Sequence, residues 1–437
     1  MKSPTQAIRP KERDTIIQAL SAGVVPRVGL RHIQVGRKNE VEAIVRDLDR
    51  IADGGAAIRF VIGDYGAGKT FFLNLIRIVA LEKRLVTVQA DFAPDRRLHA
   101  TGGQARNLNA EAMRNMATRN RPEGGALGSI IEVFITRAKD DASKAGRSPE
   151  DDIRLKLADL RELVNGYDFA DVIAIYWQAL ESGNEDRKAA ALRWLRGEYT
   201  TKTDAKAALG VRNIVDDSTV YDHWKLLARF VRLAGYGGLL VVLDELGTLY
   251  KLQSSKAREQ NYDQILRILN DVLQGQCEGL GFVLGGTPEF LLDTRRGLYS
   301  HPALQSRLSE NTFAKGDLVD FSGPIIRLQN LTAEDLYVLL GNVRNVFAGG
   351  DQKRNLVPDE ALEAFMVHCE ERIGETYFRT PRTTIREFVH LLSIIEQNPG
   401  TDWRRLIGEV DVERDAPPDA AEITDESTDG DLATFRL

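Results

Sequence analysis

Short apolar runs alternate with amphipathic stretches along most of this chain, and the alternation predicts its elements. Ala56 to Ile62 (AAIRFVI), Gly237 to Leu243 (GGLLVVL) and Gly279 to Gly285 (GLGFVLG) are short and apolar and read as buried strands, and Leu85 to Phe92 (LVTVQADF) alternates like a further strand. Elsewhere the period is that of a helix. It runs through residues 10–22, Val41 to Ile51, Phe71 to Ala80, Asn261 to Gln274, Thr332 to Phe347, Pro358 to Arg372 and Pro381 to Gln397. Thr332, Pro358-Asp359 and Thr380-Pro381 are start signals, and Gly275 is placed to stop the helix before it. Buried strands alternating with helices imply a parallel sheet in an α/β fold.

Residues 93–230 break that alternation. They are rich in Ala, Arg, Glu, Asp and Leu at helical spacing, interrupted at Pro122–Gly125, Gly146–Pro149 and Thr200–Thr203, and show no repeat of fixed period. The expected organisation is an N-terminal arm over 1–30 and an α/β base over 31–323, carrying a helical insertion at 93–230. A helical lid over 324–410 and a tail over 411–437 would follow.

Composition changes this picture little, because 43% hydrophobic and 28% charged residues are ordinary for a globular protein. No apolar run approaches the roughly 20 residues of a membrane span. The opening MKSPTQAIRPKERD lacks the apolar core of a signal peptide. Cys277 and Cys369, the only cysteines, suggest neither a disulfide framework nor a metal knuckle, so a cytoplasmic protein is expected. Charge is uneven. The tail holds nine carboxylates against Arg414 and Arg436, a net −7 within a chain total of −6, which leaves the rest near +1. Such a tail is expected to be disordered. A near-neutral body neither demands nor excludes nucleic acid.

The candidate chemistry starts at Gly63-Asp64-Tyr65-Gly66-Ala67-Gly68-Lys69-Thr70, which fits G-x-x-x-x-G-K-[ST] between a strand and a helix. Glycines let backbone N–H groups curl around a phosphate, and the helix N-terminus adds partial positive charge. Gly63, Tyr65, Gly66, Ala67, Gly68 and Phe71 are the expected backbone contacts to ATP. Lys69 would reach the β- and γ-phosphates, and Thr70 would hold Mg²⁺. Hydrolysis needs more. The strand at 239–243 delivers Asp244 and Glu245 at its carboxyl end, the first for Mg²⁺ and the second to polarise water. An N-capping acidic pair is the plainer alternative. Thr287, after the next strand, is a γ-phosphate sensor candidate, with a Gly-Thr-Pro turn as the equal alternative. Arg307 or Arg295/Arg296, and Arg382, could stabilise charge on the γ-oxygens.

Together these residues resemble an AAA+ ATPase of the initiator and STAND-like kind. Val35-Gly36-Arg37-Lys38-Asn39-Glu40 resembles the box that frames adenine in that group, so Val35, Gly36 and Arg37 are expected at the nucleotide. Lys69 and Thr70 match Walker A, Asp244 and Glu245 Walker B, Thr287 sensor 1 and Arg382 sensor 2. Arg307 resembles a finger that reaches a neighbouring subunit. The runs ADGGAAIRFVIGDYGAGKTFFLNLIR, RLHATGGQAR, LQGQCEGLGFVLGGTPEFLLDTRRGLYS and YFRTPRTTIREF further resemble the BrxD family, ATP-binding proteins of BREX-type phage defence. That resemblance implies an antiviral ATPase beside a large Lhr-like DNA helicase.

The expectation is therefore an oligomeric, DNA-linked, Mg-dependent ATPase that loads or activates this helicase, with no membrane partner. A STAND-like switch that senses a protein without acting on DNA is the alternative. Initiator proteins usually add a winged helix, and the stretch after Pro399 is too short and acidic for one. DNA contacts would then fall to Arg96-Arg97 or to Arg114–Arg121 (RNMATRNR), for which a solvated helix face is the plainer reading.

Overall fold

The computed structural model describes residues 7–313, 319–374 and 381–409. The acidic tail at 411–437 and the start signal at Thr380 lie outside them.

The strands form one five-stranded, all-parallel sheet. They are β1 (Ala56–Gly63), β2 (Val86–Asp91), β3 (Leu239–Asp244), β4 (Leu280–Gly286) and β5 (Ile325–Leu328), in the order β2-β3-β4-β1-β5. Every residue of β3 and β4 is buried, which is why their sequences are continuous apolar runs rather than alternating ones. The register aligns Val86 with Leu239 and Asp91 with Asp244. β4 lies between β3 and β1, and parallel strands bring their carboxyl ends out along one edge. β5 was not expected: its four residues, IIRL, are too few to show a period.

The chain divides into two compact units. One holds the described residues up to Asn39, Ile62–Leu75 and those from Arg327 onwards; the other holds Glu40–Val61 and Ile76–Ile326.

In the larger unit, helix Lys38–Ala52 rests on the sheet through Ile51. A Cβ on Gly281 would stand 2.2 Å from the Ile51 Cδ1, so a larger residue there would force the Ile51 side chain to shift. Between β2 and β3 the chain makes seven α-helices, from Gln104–Arg114 to Val220–Leu233. Their core is aromatic. Phe230 packs at centroid distances of 5.2 Å on Phe134 and 5.5 Å on Phe169, and Phe169 meets Trp194 and the buried His223 edge-on.

In the smaller unit, helix Pro10–Ser21 packs against Pro381–Gln397 and Ala333–Phe347, burying Ile16 completely. Arg13 donates to the Phe347 carbonyl at 3.0 Å and pairs with Glu396. A capping box between Thr332 and Asp335 starts Ala333–Phe347, as the sequence predicts. In the larger unit, helix Ser255–Leu273 starts six residues earlier than the expected Asn261, because Ser254 caps it by accepting from the Ala257 N–H.

Candidate functional site

The expected site residues fall into two groups, one in each unit. The first surrounds the Gly63–Thr70 loop. Helix Lys69–Glu82 begins two residues before the expected Phe71, so Lys69 and Thr70 stand in its first turn. Gly66 and Gly68 have φ of 83° and 80°, the left-handed region that glycine enters without strain. Gly63 is constrained from its surroundings, since a Cβ there would stand 3.2 Å from the Cβ atoms of Ala67 and Leu328. The Lys69 ammonium donates to the carbonyls of Gly63 at 2.8 Å and Asp64 at 2.9 Å. It lies folded over the mouth of its own loop.

Three residues from elsewhere in that unit hold the loop. Arg37 Nη2 donates to the Ala67 carbonyl at 2.6 Å and the Gln329 carbonyl at 2.9 Å. Asn330 donates to the Asp64 carboxylate at 3.2 Å. Arg382 reaches the hydroxyl of Tyr65 at 3.5 Å, so the expected lid arginine does stand against the phosphate loop. The segment before Arg37 is itself anchored by Asn342, which donates to the Gln34 carbonyl at 3.3 Å. Gly36 and Arg37 both take left-handed φ, 63° and 60°. The structure thus ties Arg37 to the loop's backbone, which no pattern in the sequence indicates.

The second group is centred on the end of β3. Asp244 is 4% exposed, whereas Glu245 next to it is open to solvent. Glu245 has φ of 61°, a left-handed conformation that is unusual for a residue with a Cβ and costs on the order of 1 kcal/mol. Its own N–H donates to Asp244 Oδ1 at 2.8 Å, and the next residue, Leu246, donates to the Gly285 carbonyl of β4 at 3.0 Å. These bonds hold the strained turn and separate the two carboxylates, one inward and one outward. The N-capping alternative does not describe them: residue 246, not either acid, precedes the short helix Gly247–Tyr250.

Thr287 lies just past β4. Its hydroxyl accepts the Phe290 N–H at 3.4 Å and caps Pro288–Leu292, which is the turn reading; the hydroxyl proton remains a donor. Arg307 is exposed, donating to Asn270 Oδ1 at 2.6 Å and to the Ala303 carbonyl at 3.0 Å. Arg296 is instead built into its surroundings, donating to the Leu252 carbonyl and lying 5.6 Å from the Tyr250 ring centre. Arg295 is exposed.

The basic candidates for DNA are reduced. Arg97 is 4% exposed and donates to the Pro94 carbonyl, so it presents no charge to a ligand. Arg96 and Arg114 both lie within ion-pair distance of Glu111. Residues 118–121 form a tight turn rather than a helix face, and Arg119 and Arg121 stand exposed on it.

The donor set fits a nucleoside triphosphate. It combines glycine N–H groups in a left-handed curl, an ammonium within a side chain's swing of them, and a hydroxyl in the first helical turn. Among the described residues no cluster of His, Cys, Asp and Glu is built to hold a metal on its own, and no helix is long and apolar enough to cross a membrane. A comparison with curated proteins gives no match. A model of the BREX system ATP-binding protein BrxC/D family matches residues 8–411, nearly the whole described chain. The chain therefore belongs to the BrxC/D family of ATP-binding proteins of BREX defence systems.

Proposed function

We propose that this protein hydrolyses the ATP it binds, in the manner of an AAA+ ATPase, with Mg²⁺ as cofactor. The observation that carries the proposal is Glu245. A side chain held at a left-handed position, exposed to solvent and directly beside a buried carboxylate, is costly to keep. Activation of an attacking water needs such a group.

In this reading the Gly63–Gly68 loop holds the β-phosphate, and Lys69 exchanges its loop carbonyls for phosphate oxygens. Thr70 and Asp244 are the residues that would hold Mg²⁺, which supplies neutralisation of the charge on the β- and γ-oxygens. Glu245 orients water towards the γ-phosphorus. Thr287 donates its proton towards the γ-phosphate, and Arg382 exchanges Tyr65 for it. Arg307, exposed at a helix end, serves as the finger, and Arg295 is the other candidate. A finger acting in trans requires a homo-oligomer. Glu245→Gln tests the core of this reading: the variant should bind ATP normally and lose turnover by about a hundredfold or more. Normal turnover would remove Glu245 from the mechanism.

The output is proposed to be loading or activation of an Lhr-like helicase on DNA. The exposed Arg119–Arg121 turn supports a phosphate-backbone contact. One observation favours the second reading, a nucleotide switch that engages a protein. The helical segment opens a cleft of about 370 Å³ lined by Arg154, Arg161, Asp171 and Ile175, with Leu155 and Tyr167 more than 60% exposed in the same stretch. DNA-stimulated hydrolysis supports the loader; stimulation by a protein partner alone supports the switch.

A further inference from the structure

We propose that Arg37 is a positioning residue for the phosphates, not a contact to the adenine. The argument rests on the nucleotide-binding reading of the Gly63–Thr70 loop and begins with a peptide plane. In a trans peptide the C=O and the following N–H point in opposite directions, and the described chain has no cis bond. Arg37 Nη2 holds the Ala67 carbonyl at 2.6 Å. The N–H of Gly68, on the far side of that same plane, is therefore aimed away from Arg37. Gly68 is one of the loop's phosphate donors.

The loop needs this restraint because of its own composition. Gly66 and Gly68 flank Ala67, and glycine accepts either sign of φ. The property that lets the loop curl also lets the Ala67–Gly68 peptide turn over, which would present a carbonyl oxygen to an anion. An external donor fixed on the Ala67 carbonyl opposes that flip. Arg37 is itself fixed, since the same nitrogen donates to the Gln329 carbonyl at 2.9 Å. Asn330, the next residue, holds Asp64 at the other end of the loop. The backbone of Gly36 and Arg37, with φ of 63° and 60°, is bent to deliver the guanidinium there. Both hydrogens of Nη2 are committed to carbonyls, so that nitrogen has none for a base edge.

The two roles separate experimentally. A residue that orients Gly68 affects every nucleotide through its β-phosphate; a residue that reads adenine affects the choice of base. Dissociation constants for ADP, GDP and pyrophosphate are to be measured by calorimetry on the full chain for the natural protein, Arg37→Ala and Arg37→Lys. Arg37→Ala should weaken all three ligands by the same factor, about tenfold for one lost charge-assisted bond, with the ADP/GDP ratio unchanged. Arg37→Lys carries an ammonium that can serve both carbonyls, and should recover part of the loss. The proposal is overturned if the ADP/GDP ratio falls, if pyrophosphate is unaffected, or if Arg37→Ala binds like the natural protein. Thermal unfolding without nucleotide identifies a variant that fails to fold, in which case Arg37→Lys alone decides by its ADP/GDP ratio and pyrophosphate affinity. If the natural protein binds no ADP, the reading of the loop itself fails instead.

Discussion

The helical segment between β2 and β3 and the strained turns of the candidate site are built on opposite principles. The helical segment buries aromatic rings against one another, caps three of its seven helices with Ser148, Asn184 and Thr201, and satisfies even its buried histidine, whose ring bonds the Leu195 carbonyl at 2.8 Å. At the site, two of the four described non-glycine residues with positive φ are Arg37 and Glu245. Lys69 donates to two backbone oxygens of its own loop. The first region owes its form to packing, although Asn165 within it also takes a left-handed φ of 58°. The second gives up stability to orientation, which is what the proposed function requires of it.

Substitutions should separate the two regions. The largest effect on stability is expected at Phe169, fully buried between Trp194, His223 and Phe230. Phe169→Ala should destabilise by about 3–5 kcal/mol in denaturant titration, while the folded fraction keeps its affinity for ATP. Lys69→Ala should do the reverse: nucleotide affinity falls by about a hundredfold or more, with an unfolding midpoint close to that of the natural protein. An equal loss of stability would show that Lys69 also holds the loop together.

Glu245→Gly gives a smaller and more pointed comparison. Glycine enters the left-handed region without strain, so this variant should gain up to about 1 kcal/mol of stability while losing hydrolysis. A loss of stability would mean that the Glu245 side chain itself supports the fold. The smallest effect concerns His223. Complete burial pushes its pKa down to about 4. A histidine whose folded pKa is depressed stabilises above its unfolded value, near 6.5, and loses that contribution as pH falls towards the folded value. Stability should therefore drop between about pH 6.5 and 4, and His223→Gln, which keeps a donor for the Leu195 carbonyl, should drop less over that window.

Legibility in the sequence follows the same division. Three strands could be read because full burial leaves short, nearly unbroken apolar runs, a fourth because it alternates, the helices after residue 331 because burial on one face leaves a period, and Thr332 because a cap is a local bond. β5 could not, since four residues carry no period, and Ser254 was passed over because its helix starts with polar residues that show no apolar stripe. At the site, residue types were legible and conformations were not. Asp244 closes β3 and Glu245 follows it, but nothing in the letters says that one is buried and the other bent outward. Arg37 is the clearest case, for its partners are main-chain carbonyls, and those leave no trace in side-chain pattern. The register of Thr287 with β4 was legible; its use as a helix cap is one of two readings the sequence left open.

The pairing of β2 with β3 has a kinetic consequence. Val86–Asp91 lies beside Leu239–Asp244, yet the entire helical segment separates them along the chain. Closing so long a connection in an unfolded chain is entropically costly, and contacts of such separation form slowly. Once the helices have assembled, the two ends of the segment are brought towards one another and most of that cost has been met. Refolding should accordingly proceed with helical signal first and the β2 edge of the sheet last. On a newly synthesised chain β2 emerges first and stays unpaired until the helical segment and then β3 have followed it.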